Sequence, residues 1–224
     1  MIDHTSSDTA MWPAVVIGGG PAGAAAAAAI ARAGGDVLLL ERDGPAGPGR
    51  RTGGGGKVCG GCLNAAALDE LVRLGMEAAV RTLGVPLSRV RVRSRERGRG
   101  DAVLPLAGSV AVGRDELDPR LREAAAAAGA RVLEGVSATV IERGLVEVRP
   151  IGGGAAWHCR ADVILACDGL GGRGLPRREG RRPRRRADLP GSRIGIGTII
   201  DWPADADPPP GELLMLAGDR GYLG

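Results

Sequence analysis

The sequence predicts an α/β fold, a parallel sheet of βαβ type interrupted by a β-rich insertion and followed by a second set of strands. Three observations predict it. Val15-Val16-Ile17 is a short apolar run that ends in glycines and opens an alanine-rich stretch. A second apolar run, "DVLLLE" (Asp36 to Glu41), follows within about thirty residues, the size of one βαβ unit. Far downstream, three short alternating segments lead into another run of the same kind, "ADVILAC" (Ala161 to Cys167). Of the 224 residues 44% are hydrophobic, yet aromatics are 2% and Phe is absent, so any core is built from Ala, Val, Leu and Ile.

Val15-Val16-Ile17 reads as a buried strand because it is β-branched and bounded by turn residues. Residues 21–33 are dominated by alanine and predict a helix, with Pro21 accepted in the first turn, where no N–H is required. "DVLLLE" is the second buried strand, and a strand, helix and strand of this length close into a right-handed parallel unit. The segment "RDGPAGPGRRTGGGGKVCGGC" (Arg42 to Cys62) is too long for a plain connector. "NAAALDELVRLGMEAAVRTLG" then sets Leu68, Leu71 and Val72 at i, i+3 and i+4, an amphipathic helix.

"RVRVR" (Arg89 to Arg93) alternates by twos and predicts a strand with one wet face, and "DAVLPLAG" and "SVAVG" predict two further strands. "DELDPRLREAAAAAGA" (Asp115 to Ala130) predicts a helix with acids in its first turn and Gly129 near its end. "RVLEGV" is a strand, and "SATVIE", "LVEVRP" and "AWHCR" form a meander that delivers the chain to the buried strand "ADVILAC". "RIGIGTII" and "GELLMLAG" are strands divided by the proline-rich "DWPADADPPPG".

Charge and composition exclude several functions. All basic residues but Lys57 are arginine, which points to coding bias and warns against reading each Arg as functional. Eight arginines crowd into "RGLPRREGRRPRRR" (Arg173 to Arg186), which reads first as a solvated loop and second as an anion or membrane-surface patch. With a net charge of +4 and no aromatics interleaved there for stacking, nucleic acid is not an expected partner. The N-terminus lacks the pattern of a signal peptide, and no stretch approaches a membrane span. Four cysteines without an export signal then predict a cytoplasmic setting. No metal-ligand cluster, P-loop or hydrolase triad is present in the sequence.

Gly18, Gly20 and Gly23 supply the G-x-G-x-x-G spacing between the first strand and its helix. The first glycine permits the tight turn, the second lets a pyrophosphate reach backbone, and the third lets helix and strand pack closely. Pro21 and Ala22 complete the turn into the helix, whose N-terminus presents N–H groups and partial positive charge to phosphates. Glu41, eighteen residues past Gly23 at the end of the second strand, is placed to accept hydrogen bonds from a ribose diol. A carboxylate there repels a 2′-phosphate, so the predicted ligand is the ADP half of FAD or NAD.

"GGGPAG" with "LLLER", then "KVCGGCLNAAALDEL", "VGRDELDPRLREAAAAAGA" and "VILACDGLGG" resemble, in this order, the FAD-dependent oxidoreductases of the geranylgeranyl reductase type, within the aromatic-hydroxylase-like flavoproteins. The resemblance covers about the first 172 residues. It implies a Rossmann-like FAD-binding domain (parallel sheet with a β-meander crossover) in residues 1–42 and 113–172. It also implies a partial substrate domain in 43–112 and 187–224, with 173–186 as the Arg-rich loop. By the resemblance Glu41 binds the adenosine ribose with Arg42 beside it, and Arg114 reaches the cofactor. Asp168 and Gly169 touch the pyrophosphate and ribityl side, while Lys57, Cys59, Gly60 and Gly61 belong to a loop near the isoalloxazine. The family commonly continues with Ser and then Arg, where this chain has "GLGGRGLPR". The family also carries a later Gly-Asp motif followed by helix, and Gly218-Asp219 lacks that sequel, so a truncated product or fragment is expected.

Cys59 and Cys62 form a C-x-x-C with three readings. Plain packing of small residues in a tight loop is favoured over a dithiol exchanging with flavin. Zinc comes last, because no second ligand pair stands at metal spacing. Cys159 and Cys167 read as buried small hydrophobes. Cys59 is the candidate proton donor. The predicted activity is reduction or hydroxylation of a small, lipophilic substrate, isoprenoid or aromatic, by FAD with electrons from NAD(P)H. The alternatives are a non-catalytic dinucleotide-binding remnant and an Arg-rich anion-surface binder.

Overall fold

The computed structural model describes residues 10–44, 59, 61–94, 101–169, 172, 174–175, 203, 207–218 and 221–223. Lys57, Gly60, the strand expected at "RIGIGTII" and nearly all of the Arg-rich stretch lie outside the described residues. The chain divides into two compact units: Met1–Gly53 with Asp118–Gly195, and Gly54–Leu117 with Ile196–Gly224.

The first unit is the predicted α/β body. Its six-stranded sheet runs β6 (Arg131–Glu134), β2 (Val37–Glu41), β1 (Ala10–Ile17), β9 (Trp157–Ala166), β8 (Leu145–Pro150), β7 (Val136–Glu142). The pairs β6–β2, β2–β1 and β1–β9 are parallel, whereas β7, β8 and β9 are antiparallel and form the meander. In sequence order the parallel strands read third, second, first, fourth, the arrangement of one half of a dinucleotide fold. α1 (Pro21–Arg32) crosses from β1 to β2 and buries Gly23, Ala24, Ala27 and Ala28, small residues that let helix and sheet approach closely.

Alternation along the strands assigns the two faces. Val15, Ile17, Leu38 and Leu40 point to the side where Val140 and Val146 of the meander pack, and all are buried. Val16 and Leu39 point the other way and are fully buried. Both faces of β1 and β2 are therefore covered, which is why these runs are uniformly apolar rather than alternating.

Several expectations change in detail. "AWHCR" and "ADVILAC" are one strand: β9 pairs with β8 over Trp157–Arg160 and with β1 over Cys159–Ala166, and the overlap at Cys159 and Arg160 leaves no turn between them. Nor is this strand buried along its whole length. Cys159 and Ala161 are buried against the meander, while Val163 is 52% exposed. β1 starts at Ala10, earlier than the apolar run, because its leading residues pair with β9.

The second unit holds a five-stranded sheet in the order β11 (Gly221–Leu223), β10 (Glu212–Gly218), β4 (Val85–Ser94), β5 (Ala102–Ala111), β3 (Cys62–Leu63). "DAVLPLAG" and "SVAVG" are the single strand β5, which pairs with β4 on both sides of Leu106–Gly108, where the register shifts and Gly108 takes a φ of +70°. A register shift between Leu87 and Arg89 lets Leu87 and Val90, three residues apart, both be buried. Glu212, buried in β10, is ion-paired by Arg89; Arg91 approaches its other oxygen at 2.5 Å without hydrogen-bond alignment. The predicted amphipathic helix splits into α2 (Ala65–Arg73), capped by Asn64, and the short α3 (Ala78–Arg81). Leu68 and Leu71 are half-buried but Val72 is exposed, so the expected apolar stripe is narrower than three residues.

α4 (Arg114–Ala127) carries the chain from the second unit into the first and contributes buried Leu121 and Ala125. No described helix is long and apolar enough to cross a membrane.

Candidate functional site

The glycine turn sits where β1 ends and α1 begins. Gly18 has φ +99°, a conformation L side chains rarely adopt, and a Cβ there would lie 2.5 Å from the Cys167 carbonyl oxygen. Its N–H donates to the Leu40 carbonyl at 2.8 Å, and the Cys167 N–H donates to the Ile17 carbonyl at 2.8 Å, which ties the ends of β2, β1 and β9 together. Gly23 packs against this turn so closely that a Cβ would stand 1.8 Å from the Gly18 carbonyl oxygen.

Gly20 caps α1 with extended backbone and no side-chain hydrogen bond, and Pro21 follows in the first helical position. The N–H groups of Ala22 and Gly23 lie in the first turn of α1, where helix geometry supplies no acceptor. An uncapped, proline-led helix end opening from a glycine turn is a seat for an anion.

Glu41 closes β2 beside this turn and is only 5% exposed. Its Oε2 accepts the Gly19 N–H, and its Oε1 accepts the Asp43 N–H at 2.9 Å. An ionised carboxylate offers about four lone-pair sites, so acceptor capacity remains on both oxygens for a ribose diol. Arg42 is exposed and stands 4.0 Å from Asp43 in a loose ion pair. Together, the uncapped α1 terminus and the carboxylate at the end of β2 fit an adenosine diphosphate group.

Asp168 follows β9, and its Oδ2 accepts the Gly174 N–H at 2.6 Å. The Gly174 carbonyl in turn accepts from the Val140 N–H at 2.7 Å, so the segment after β9 is pinned back onto the meander. Gly169 has φ +68° and is exposed. These two residues leave the same end of the parallel sheet as the glycine turn.

The remaining candidates belong to the second unit. Arg114 is the first residue of α4 and half-buried. Gly61 has φ +60° and its carbonyl accepts from the Val112 N–H at 2.7 Å. Cys59 and Cys62 are both exposed free thiols. Among the described residues no group of His, Cys, Asp and Glu is arranged to hold a metal ion.

Two residues of the first unit escaped the sequence reading. Arg122 on α4 is 3% exposed, and its Nε donates to the Glu134 carboxylate while its Nη1 reaches the Gly19 carbonyl at 3.4 Å. Their signals were faint. Arg122 is one arginine among many, and Glu134 ends the strand "RVLE" much as Glu41 ends "VLLLE".

The thiols differ by environment. Burial pushes the Cys159 thiol up to about 11, and burial followed by the adjacent Asp168 charge raises that of Cys167. In a thiol titration of the native protein near pH 8, Cys59 and Cys62 should react first, Cys167 slowly, and Cys159 only on unfolding, since the thiolate is the nucleophile. Early labelling of Cys159 would contradict this order.

Comparison with known proteins follows the same geometry. The family described as the FAD binding domain matches residues 11–185. No curated protein matches the chain in sequence. Among solved structures, a geranylgeranyl bacteriochlorophyll reductase-like protein from Thermoplasma acidophilum is similar over 95% of this chain and 51% of its own, at 22% identity and TM-score 0.63. The p-nitrophenol 4-monooxygenase PnpA from Pseudomonas putida is similar over 73% of this chain and 42% of its own, at 18% identity and TM-score 0.56. The flavin-dependent monooxygenase PieE, solved in complex with FAD and substrate, is similar over 71% of this chain and 30% of its own, at 20% identity and TM-score 0.55. The chain thus spans about half or less of the length of these structures. The likeness is one of fold.

Proposed function

The chain belongs to the FAD binding domain family, and from that membership we propose that it seats FAD in its first unit and serves an FAD-dependent oxidoreductase. The observation that carries the proposal is the pairing of an uncapped, proline-led α1 terminus with the Glu41 carboxylate at the end of the neighbouring strand. Gly18, Gly20, Pro21, Ala22 and Gly23 form the pyrophosphate turn, and Glu41 receives the adenosine ribose with Arg42 at its margin. Asp168 and Gly169 stand at the next strand end, toward the ribityl chain. Lys57, Cys59, Gly60, Gly61 and Arg114 are the proposed contacts from the rest of the chain.

Bound there, FAD supplies electron transfer, and the protein supplies orientation and electrostatics. The turn offers main-chain N–H groups to the phosphates at no cost in side-chain entropy. Glu41 is held by two backbone donors before any ligand arrives, so its orientation is set in advance. Its negative charge disfavours a 2′-phosphate.

The finer reading is a reductase of the geranylgeranyl type or a hydroxylase, acting on a small lipophilic substrate with NAD(P)H as donor. The "KVCGGC" loop and the similarity to the geranylgeranyl reductase-like structure along 95% of this chain support the first. The monooxygenases of similar fold support the second. Cys59, an exposed thiol, is the proposed proton donor.

The visible spectrum of the purified protein tests the proposal. Flavin absorption that bleaches anaerobically on adding NADH or NADPH is expected. Colourless protein that binds ADP but not FAD would leave a dinucleotide-binding remnant instead.

A further inference from the structure

Arg122 is the one basic residue among the described residues that is fully buried, and it lies under the glycine turn rather than in it. The surroundings explain why a cation is needed there. Glu41 and Glu134 are register partners on the adjacent parallel strands β2 and β6. Their side chains therefore leave the same face of the sheet about 5 Å apart. Asp118, one turn before Arg122 on α4, is buried as well. Two neighbouring carboxylates in a poorly solvated place repel.

Arg122 meets this demand in a directed way. Its Nε donates to Glu134 and its Nη1 to the Gly19 carbonyl, while the Gly19 N–H donates to Glu41. Gly19 is thus gripped on both sides, by guanidinium on its carbonyl and by carboxylate on its amide. The fit leaves no room for a side chain: a Cβ on Gly19 would lie 2.6 Å from Arg122 Cδ and 3.0 Å from Glu41 Oε2.

We propose that Arg122 is the positioning residue of the nucleotide seat. By pairing with Glu134 and fixing Gly19, it holds the Glu41 carboxylate aimed for the adenosine ribose. This rests on the reading of the turn and Glu41 as an ADP seat, and touches no ligand itself. Removing the cation leaves two facing acids, and removing the second acid as well restores the balance, because a buried pair can be replaced by neutral groups where a lone buried charge cannot be tolerated.

The test uses Arg122→Met, Glu134→Gln and the double variant, with two readouts: hydrogen exchange at the Gly19 amide without any nucleotide, and FAD affinity by calorimetry. In Arg122→Met the Gly19 amide should exchange about tenfold or more faster, and FAD binding should weaken by about 10- to 100-fold, the worth of one charged hydrogen bond. The double variant should recover most of both losses. A purely structural role predicts additive losses, so a double variant no better than Arg122→Met overturns the proposal, as does an unchanged Gly19 amide. If Arg122→Met alone does not fold, a folded double variant with a protected Gly19 amide supports the coupling, and a double variant that also fails to fold overturns it. Wild-type protein that never binds FAD, with the exchange pattern intact, sinks the FAD reading and leaves the role of Arg122 standing.

Discussion

Glu41→Gln should weaken FAD and ADP binding by about 10- to 100-fold or more while leaving FMN, which lacks the adenosine half, unaffected. The carboxylate holds two backbone donors, the N–H groups of Gly19 and Asp43, on separate oxygens. Glutamine keeps one acceptor and turns the other into an NH2 donor. Whichever way the amide is flipped, one backbone N–H then faces a donor. The loss therefore falls on the preorganised turn and on the ribose contact together, each a charge-assisted bond worth about 1.5–3 kcal/mol. Calorimetry with FAD, ADP and FMN separates the terms. Equal affinity of wild type and variant for ADP would end the assignment of Glu41 as ribose acceptor.

The second large effect is expected at Gly23. An alanine Cβ there would stand 1.8 Å from the Gly18 carbonyl oxygen and 3.2 Å from Cys167 Cβ. The oxygen is backbone and cannot retreat, because Gly18 is anchored to Leu40 and backs onto the Cys167 carbonyl. The helix must move instead, which opens the packing of Ala24, Ala27 and Ala28 on the sheet. Overpacking of this kind costs about 3 kcal/mol or more, the upper part of the usual range. In a chain of this size that lowers the melting temperature by roughly 10 °C, and it should abolish FAD retention. Gly152→Ala is the control: nothing lies within 4 Å of its Cβ position, so its melting point should stay within about a degree or two. A Gly23→Ala protein that melts like wild type would show that α1 is not held against the turn.

The nucleotide half of the fold was legible because its signals are contiguous. The glycine spacing, the apolar runs and the acid eighteen residues on all lie within Val15–Glu41, and each follows from backbone sterics or strand burial. The meander was legible from period-two alternation. Its junction with β9 was not, because "AWHCR" and "ADVILAC" differ in character only through their partners: one end pairs with β8 and the other with β1. β5 was divided at Gly108 because Leu106–Gly108 have no partner on β4, and only the pairing on either side of them makes one strand.

By itself, then, the sequence determined that a parallel βαβ unit forms, where its turn lies and which acid ends its second strand, because those depend on neighbours in the chain. The tertiary structure alone decided that Arg122, Glu134, Gly19 and Glu41 meet, since they come from α4, β6, the turn and β2. Their meeting follows from strand order and register, which place Glu134 beside Glu41 and bring α4 beneath the turn. A buried cation answers a charge that exists only once two distant strands lie side by side, and no spacing along one segment records that.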